Sequence, residues 1–131
     1  MLRKKGTLPS VSFIKPVGIN NEHPGYSTVE QGESHTVELI NDVLSGPCGK
    51  DVVIIVTYDE NGGFWDHVAP PVIDTKWGPG TRVPGIIISP FAKQGYVDHT
   101  QYETVSILSF IETRFKLKPL SERDKKRKPF F

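Results

Sequence analysis

The chain has 131 residues, 37% hydrophobic and 24% charged, a composition that predicts one domain able to bury a core and excludes collagen-like, disordered and multidomain classes. Its longest apolar run, Val52 to Val56, is far short of the ~20 residues that cross a bilayer, and no charged-then-apolar leader opens the chain, so neither a transmembrane segment nor an export signal is expected and the compartment stays open. The net charge of +1 hides a partition: positions 3–5 and 114–128 hold eleven of the sixteen basic residues, leaving five basic against thirteen acidic residues over 6–113, a body ill suited to specific nucleic-acid binding.

In chain order, Val11 to Lys15 predicts a short strand closed by Pro16 and Gly18. A polar loop with Glu22, His23 and Pro24 follows. Glu33 to Ser45 then predicts a helix with Val37, Ile40, Val43 and Leu44 on one face, stopped by Gly46 and Pro47. The single cysteine, Cys48, permits no internal disulfide and no Cys-x-x-Cys site, and its place before the next strand makes it a bystander. Val52 to Tyr58, β-branched and apolar at alternate and intervening positions, predicts a central strand covered on two sides.

From Asp59 to Arg82 glycine and proline are too frequent for regular structure, and loops of this length in compact domains are functional or disordered. Phe64, Trp65 and Trp77 argue against disorder, because such side chains call for burial. Val83 to Ser89 predicts a second apolar strand, and Thr100 with Glu103 three residues later predicts a capped helix bearing Val105, Leu108, Ile111 and Phe115 on one side. The basic segment 121–131 is expected to be a poorly ordered tail. Helices alternating with buried strands predict an α/β fold with a largely parallel sheet.

In such sheets ligands gather outside the carboxyl ends of the strands. There the strongest strand runs into Asp59-Glu60-Asn61-Gly62-Gly63, two adjacent carboxylates and a carboxamide before a flexible pair of glycines, which are hard oxygen donors for a cation. An Asp- and Asn-rich string is more commonly a solvated turn; the length of this loop, its aromatics and the nearby Asp66-His67 favour a site. A calcium loop fails, since the required glycine falls on Phe64 and the closing glutamate on Pro70, and neither a nucleophile elbow nor a phosphate loop is present. Of the four histidines, His23 and His67 lie in loops that can reach this edge, whereas His35 reads as exposed and His99 as a helix-entry residue.

The strings Asn21-Glu22-His23-Pro24-Gly25, Thr57-Tyr58-Asp59-Glu60-Asn61-Gly62-Gly63-Phe64-Trp65-Asp66-His67-Val68, Gly78-Pro79-Gly80-Thr81-Arg82-Val83-Pro84, Ile88-Ser89-Pro90-Phe91-Ala92 and His99-Thr100, in that order, resemble the phosphoesterase family of bacterial acid phosphatases and phospholipases C, more closely the acid phosphatase branch. The resemblance runs from about Leu8 to Asp124. It implies an alkaline-phosphatase-like α/β/α sandwich, phosphate esters as substrates and a divalent metal cofactor, with Asp59 and Glu60 as metal ligands and His23 at the phosphoryl group or its leaving oxygen. It also implies that Asn61 shapes the turn and that His67 supports the site, orienting a carboxylate or touching substrate. The Glu-Asn pair and the hydroxyl nucleophile of the family's earlier part have no counterpart here, so the resemblance implies one truncated domain, 1–131, that corresponds to the C-terminal portion. Such a piece is expected to be inactive alone and to self-associate through an unpaired sheet edge. A metal- or phosphate-binding module without turnover and a nonfunctional remnant are the alternative readings.

Overall fold

The computed structural model describes residues 8–130; the basic cluster Arg3, Lys4 and Lys5 lies outside them. Helix α1 spans Val29–Leu44, strand β1 Ile54–Thr57, strand β2 Gly85–Ile88, helix α2 Val105–Phe115 and the short helix α3 Glu122–Lys125, with single 3₁₀ turns at Gly18–Asn20 and Gly49–Asp51. These elements fall into two compact units, one of residues 8–70 with 81–93, the other of residues 71–80 with 94–130.

In the first unit α1 starts four residues earlier than its apolar periodicity predicts, because Thr28 and Gln31 close a reciprocal capping box. The Gln31 amide donates to Thr28 Oγ1 (3.2 Å), and the Thr28 amide donates to the Gln31 side chain (3.0 Å). Ser45 caps the other end, and α1 packs against both 3₁₀ turns. At Gly49 the approach is so close that a Cβ would lie 2.0 Å from the Leu44 carbonyl oxygen.

The β-branched residues Ile54, Ile55 and Val56 form β1, as expected, and β2 forms inside Val83 to Ser89. Their pairing corrects the expected parallel sheet: β1 and β2 are antiparallel, Ile54 opposite Ile88 and Thr57 opposite Gly85. A parallel pair needs a crossover, usually a helix, whereas the chain between these strands holds none and simply returns. Side chains tie both ends of the pair, Thr57 Oγ1 donating to the Pro84 carbonyl (2.9 Å) and Ser89 Oγ to the Val52 carbonyl (2.8 Å). Val11 to Lys15 forms no strand, since it finds no ladder partner for its backbone groups.

No hydrophobic residue among those described is fully buried, a correction to the core expected from length. The β strands are half-covered rather than enclosed. Two strands do not make a layer that one helix can close. Phe64 (61% exposed), Trp65 (83%) and Trp77 (64%) likewise stand in solvent instead of being buried.

The second unit is organised by polar groups. The expected cap at Thr100 does not form; Thr104 precedes α2, and Glu103, in place of capping, pairs with the guanidinium groups of Arg123 (2.6 Å) and Arg127. Along α2 the fully covered residues are Ser106, Ser109 and Glu112, three apart and so on one face, while the apolar side is only partly covered. That polar face meets α3: Ser109 donates to the Asp124 carbonyl, and the Leu120 amide donates to Asp124 Oδ2 (2.7 Å) and Glu112 Oε1 (3.3 Å).

Asp124, 2% exposed, also accepts the Ser121 hydroxyl, and this bond holds its carboxyl down at about 2. Burial and then the Asp124 carboxylate push Glu112 the other way, above the usual range. A depressed carboxyl stabilises the fold above its unfolded value, ~3.9, and that contribution is lost as pH falls toward 2. Glu112 has the opposite sign, favouring the fold when protonated and losing this as pH rises through its raised value. The protection of the Lys125 and Lys126 amides, their exchange rates taken relative to an unstructured chain at the same pH, is therefore expected to fall on acidification from pH 4 toward pH 2, as ~3.9 and about 2 bracket the transition. Asp124→Ala should leave these amides weakly protected at every pH. Strong, pH-independent protection in this variant would show that Asp124 does not anchor α3.

Candidate active site

β1 ends at Thr57 and delivers Tyr58, Asp59 and Glu60 into a turn whose shape the following residues supply. Asn61 donates through Nδ2 to the Phe64 carbonyl (3.1 Å) and accepts the Gly63 amide at Oδ1 (3.3 Å), while the Phe64 amide returns to the Asn61 carbonyl (2.9 Å). Gly62 and Gly63 have φ of 62° and 80°, the left-handed region where a side chain is strained, so the paired glycines are what let the chain turn directly after the carboxylates.

The loop bearing His23 is built separately. The His23 amide donates to Asn21 Oδ1 (3.0 Å), and the His23 ring meets Tyr26 edge-on with centroids 5.1 Å apart. Nδ1 lies 2.8 Å from the Pro24 carbonyl oxygen, which only accepts, so Nδ1 carries the hydrogen and Nε2 is the nitrogen left for chemistry. Nε2 faces Glu60 Oε1 at 4.0 Å. Pro24 also approaches Gly62, where a Cβ would lie 3.4 Å from the proline Cδ.

Glu60 accepts the Gly62 amide at Oε2 (2.8 Å). Asp59 is paired with Lys15 at 2.9 Å; both are largely exposed, and the ammonium holds the Asp59 carboxyl below the usual carboxylate range while the carboxylate raises Lys15. Sequence reasoning missed Lys15, because only the fold brings a residue 44 positions away to this carboxylate. It also missed Tyr58 and Glu22, which meet through a hydrogen bond from the phenol to Glu22 Oε2.

His67 is exposed, and no hydrogen bond or ion pair among the described residues joins it to His23, Asp59 or Glu60. Its neighbour Asp66 serves the loop. Asp66 takes the Arg82 guanidinium in a two-point pair (2.8 and 3.0 Å), together with the Arg82 and Val68 amides (both 3.1 Å), and these bonds, led by Arg82, hold it well below the usual range.

His23, Asp59, Glu60 and Asn61 thus lie along two adjoining loops. A complete metal centre is another matter: no group of three or more His, Cys, Asp or Glu among the described residues converges to hold an ion. Asp59 and Glu60 have the right oxygen chemistry but are two donors, one already engaged by Lys15, and a divalent cation requires more. The residues present do not by themselves fit the metal that the motifs imply.

The phosphoesterase family model matches residues 3–118, and the chain belongs to that family. Among its relatives, the non-hemolytic phospholipase C of Burkholderia pseudomallei is 33% identical over 86% of this chain and 20% of its own length. Non-specific phospholipase C4 of Arabidopsis thaliana is 34% identical over 92% of this chain and 28% of its own. Phospholipase C B of Mycobacterium tuberculosis is 32% identical over 86% and 26%. The chain therefore spans less than a third of the length of these curated relatives. No helix among the described residues is long and apolar enough to cross a membrane.

Proposed function

We propose that this stretch contributes one side of the active site of a metal-dependent phosphoric ester hydrolase, with Asp59, Glu60 and His23 as its working residues. The observation that carries the reading is the approach of His23 Nε2 to Glu60, 4.0 Å, beside Asp59 in a chain of the phosphoesterase family. His23 presents Nε2 to the phosphoryl group or its leaving oxygen, the Pro24 carbonyl holding the other ring nitrogen in its protonated form. Asn61 shapes the turn that aims the carboxylates, and His67 belongs to the periphery of the site.

Asp59 and Glu60 form part of a ligand set for a divalent cation, whose further donors and whose hydroxyl nucleophile belong to the remainder of a family-length protein. In that larger protein the antiparallel pair described above lies within an α/β/α sandwich. The substrate class is a phosphate ester, and the phospholipase C names of the relatives favour testing phospholipid diesters beside monoesters.

The test is a chimera in which this chain replaces the matching stretch of the Burkholderia phospholipase C. Hydrolysis of a chromogenic phosphate monoester or of phosphatidylcholine, dependent on added divalent metal, is the expected result. A folded chimera that binds metal or phosphate without turnover would support a binding module instead.

The 131-residue chain by itself should not hydrolyse either ester and should bind divalent metal weakly, because two carboxylates leave an ion most of its water. It should also self-associate, its sheet having open edges and its apolar side chains lying exposed. Calorimetric titration, phosphatase assay and light scattering check these outcomes. Multiple turnovers by a clean monomer would overturn the shared-site reading and direct mutagenesis to Ser10, Ser12, Ser27 and Ser89. Two of these already have structural partners: Ser27 accepts the Glu22 amide and Ser89 donates to Val52.

A further inference from the structure

Glu22 stands immediately before His23 and has a positive φ of 63°, an uncommon conformation for a residue with a side chain. Its amide donates to Ser27 Oγ (2.8 Å), and its carboxylate accepts the hydroxyl of Tyr58, which stands immediately before Asp59. The bond therefore joins the His23 loop to the end of β1, 36 positions apart. A second observation concerns the far side of Glu22. Gly32 is the one buried residue of α1, and a Cβ built there would lie 2.1 Å from Glu22 Cγ. Glycine within a helix is unfavourable relative to alanine, and here its missing side chain is the space the glutamate occupies.

We infer that Tyr58, Glu22 and Gly32 form a positioning staple that sets His23 against the Asp59 and Glu60 turn, Tyr58 and Glu22 acting through the neighbouring site residues and Gly32 by leaving room. The inference rests on the proposed role of His23. The bond from Tyr58 to Glu22 on one side and the seat at Gly32 on the other hold the glutamate from two directions, so the staple braces the His23 loop against the end of β1.

The His23 imidazole signals of the chimera, labelled at histidine and assigned by their loss in His23→Ala, are followed by NMR and read the staple without any need for turnover. Tyr58→Phe, Glu22→Ala and Gly32→Ala should each shift the His23 ring signals and remove their cross-peaks to Tyr26, while His35 and His99 remain at their wild-type positions. Glu22→Gln keeps an acceptor for the phenol and should restore the wild-type His23 spectrum. In the chimera the three disruptive variants should lower kcat about 10-fold at unchanged KM, the size expected for a small misplacement of a working group. Unmoved His23 signals in Tyr58→Phe, or a Glu22→Gln spectrum as altered as that of Glu22→Ala, would overturn the staple. Should Gly32→Ala disturb α1 itself, Tyr58→Phe and Glu22→Gln decide the matter. A chimera that keeps full turnover with His23→Ala would remove the functional reading, and the positioning role with it, even with the NMR shifts as expected; normal loss with His23→Ala but unmoved signals would remove the staple alone.

Discussion

Asp59→Asn should reduce phosphate ester hydrolysis by the chimera to background while leaving the fold intact. Asp59 is the first carboxylate beyond β1 and is largely exposed, with Lys15 as its ion-pair partner at 2.9 Å, so its charge has little to do with packing. An exposed pair of this kind contributes little to stability. The same charge matters to a cation, because an amide in its place keeps one neutral oxygen donor and loses the anionic one. Steady-state rates and metal content measured together on the variant check this. Loss of both, with unchanged circular dichroism, is the expected outcome; near-normal turnover with metal retained would take Asp59 out of the site. Lys15→Ala is a useful companion, because any cation arriving at Asp59 meets the ammonium first.

His23→Ala should lower kcat by ~10²- to 10⁴-fold, the range of a positioned proton donor or acceptor, and should leave metal content nearly unchanged. The two effects separate because His23 is assigned to the phosphoryl or leaving oxygen and the carboxylates to the cation. Its ring is already oriented from the loop side, Nδ1 on the Pro24 carbonyl and the face of the loop closed by Tyr26, so only Nε2 is lost to chemistry when the ring is removed. A flat pH profile and an unchanged rate would leave His23 a loop residue, whereas loss of metal in parallel with rate would make it a ligand.

How much of this was legible beforehand differs from element to element. β-branching marked β1 and β2, and periodicity marked α1 and α2, because those signals report local backbone preference and the side to be covered. The start of α1 is also written in the sequence, as Thr28 and Gln31 three apart, a signal the apolar pattern does not carry and so places four residues late. The same spacing at Thr100 and Glu103 misled: a local capping preference is worth little beside two guanidinium partners, and Glu103 turns to Arg123 and Arg127. The aromatics of the long loop misled as well, since hydrophobic character states a demand for cover and cannot show that cover exists.

The residue order by itself determined the family, through motifs whose chemistry is local: a strand that ends in Asp59-Glu60, the paired glycines Gly62-Gly63 directly after it, and the Asn21-Glu22-His23-Pro24-Gly25 string. Each of these rests on neighbours in the chain. Tertiary structure alone decided that β1 and β2 run antiparallel, that Lys15 sits on Asp59, that Ser109 of α2 donates to the Asp124 carbonyl of α3, and that Glu22 reaches Tyr58 through the space left by Gly32. All four are meetings of groups distant in sequence, and such meetings depend on the balance between hydrogen bonds, charge and the order imposed on the chain between them, which no local pattern of residues encodes.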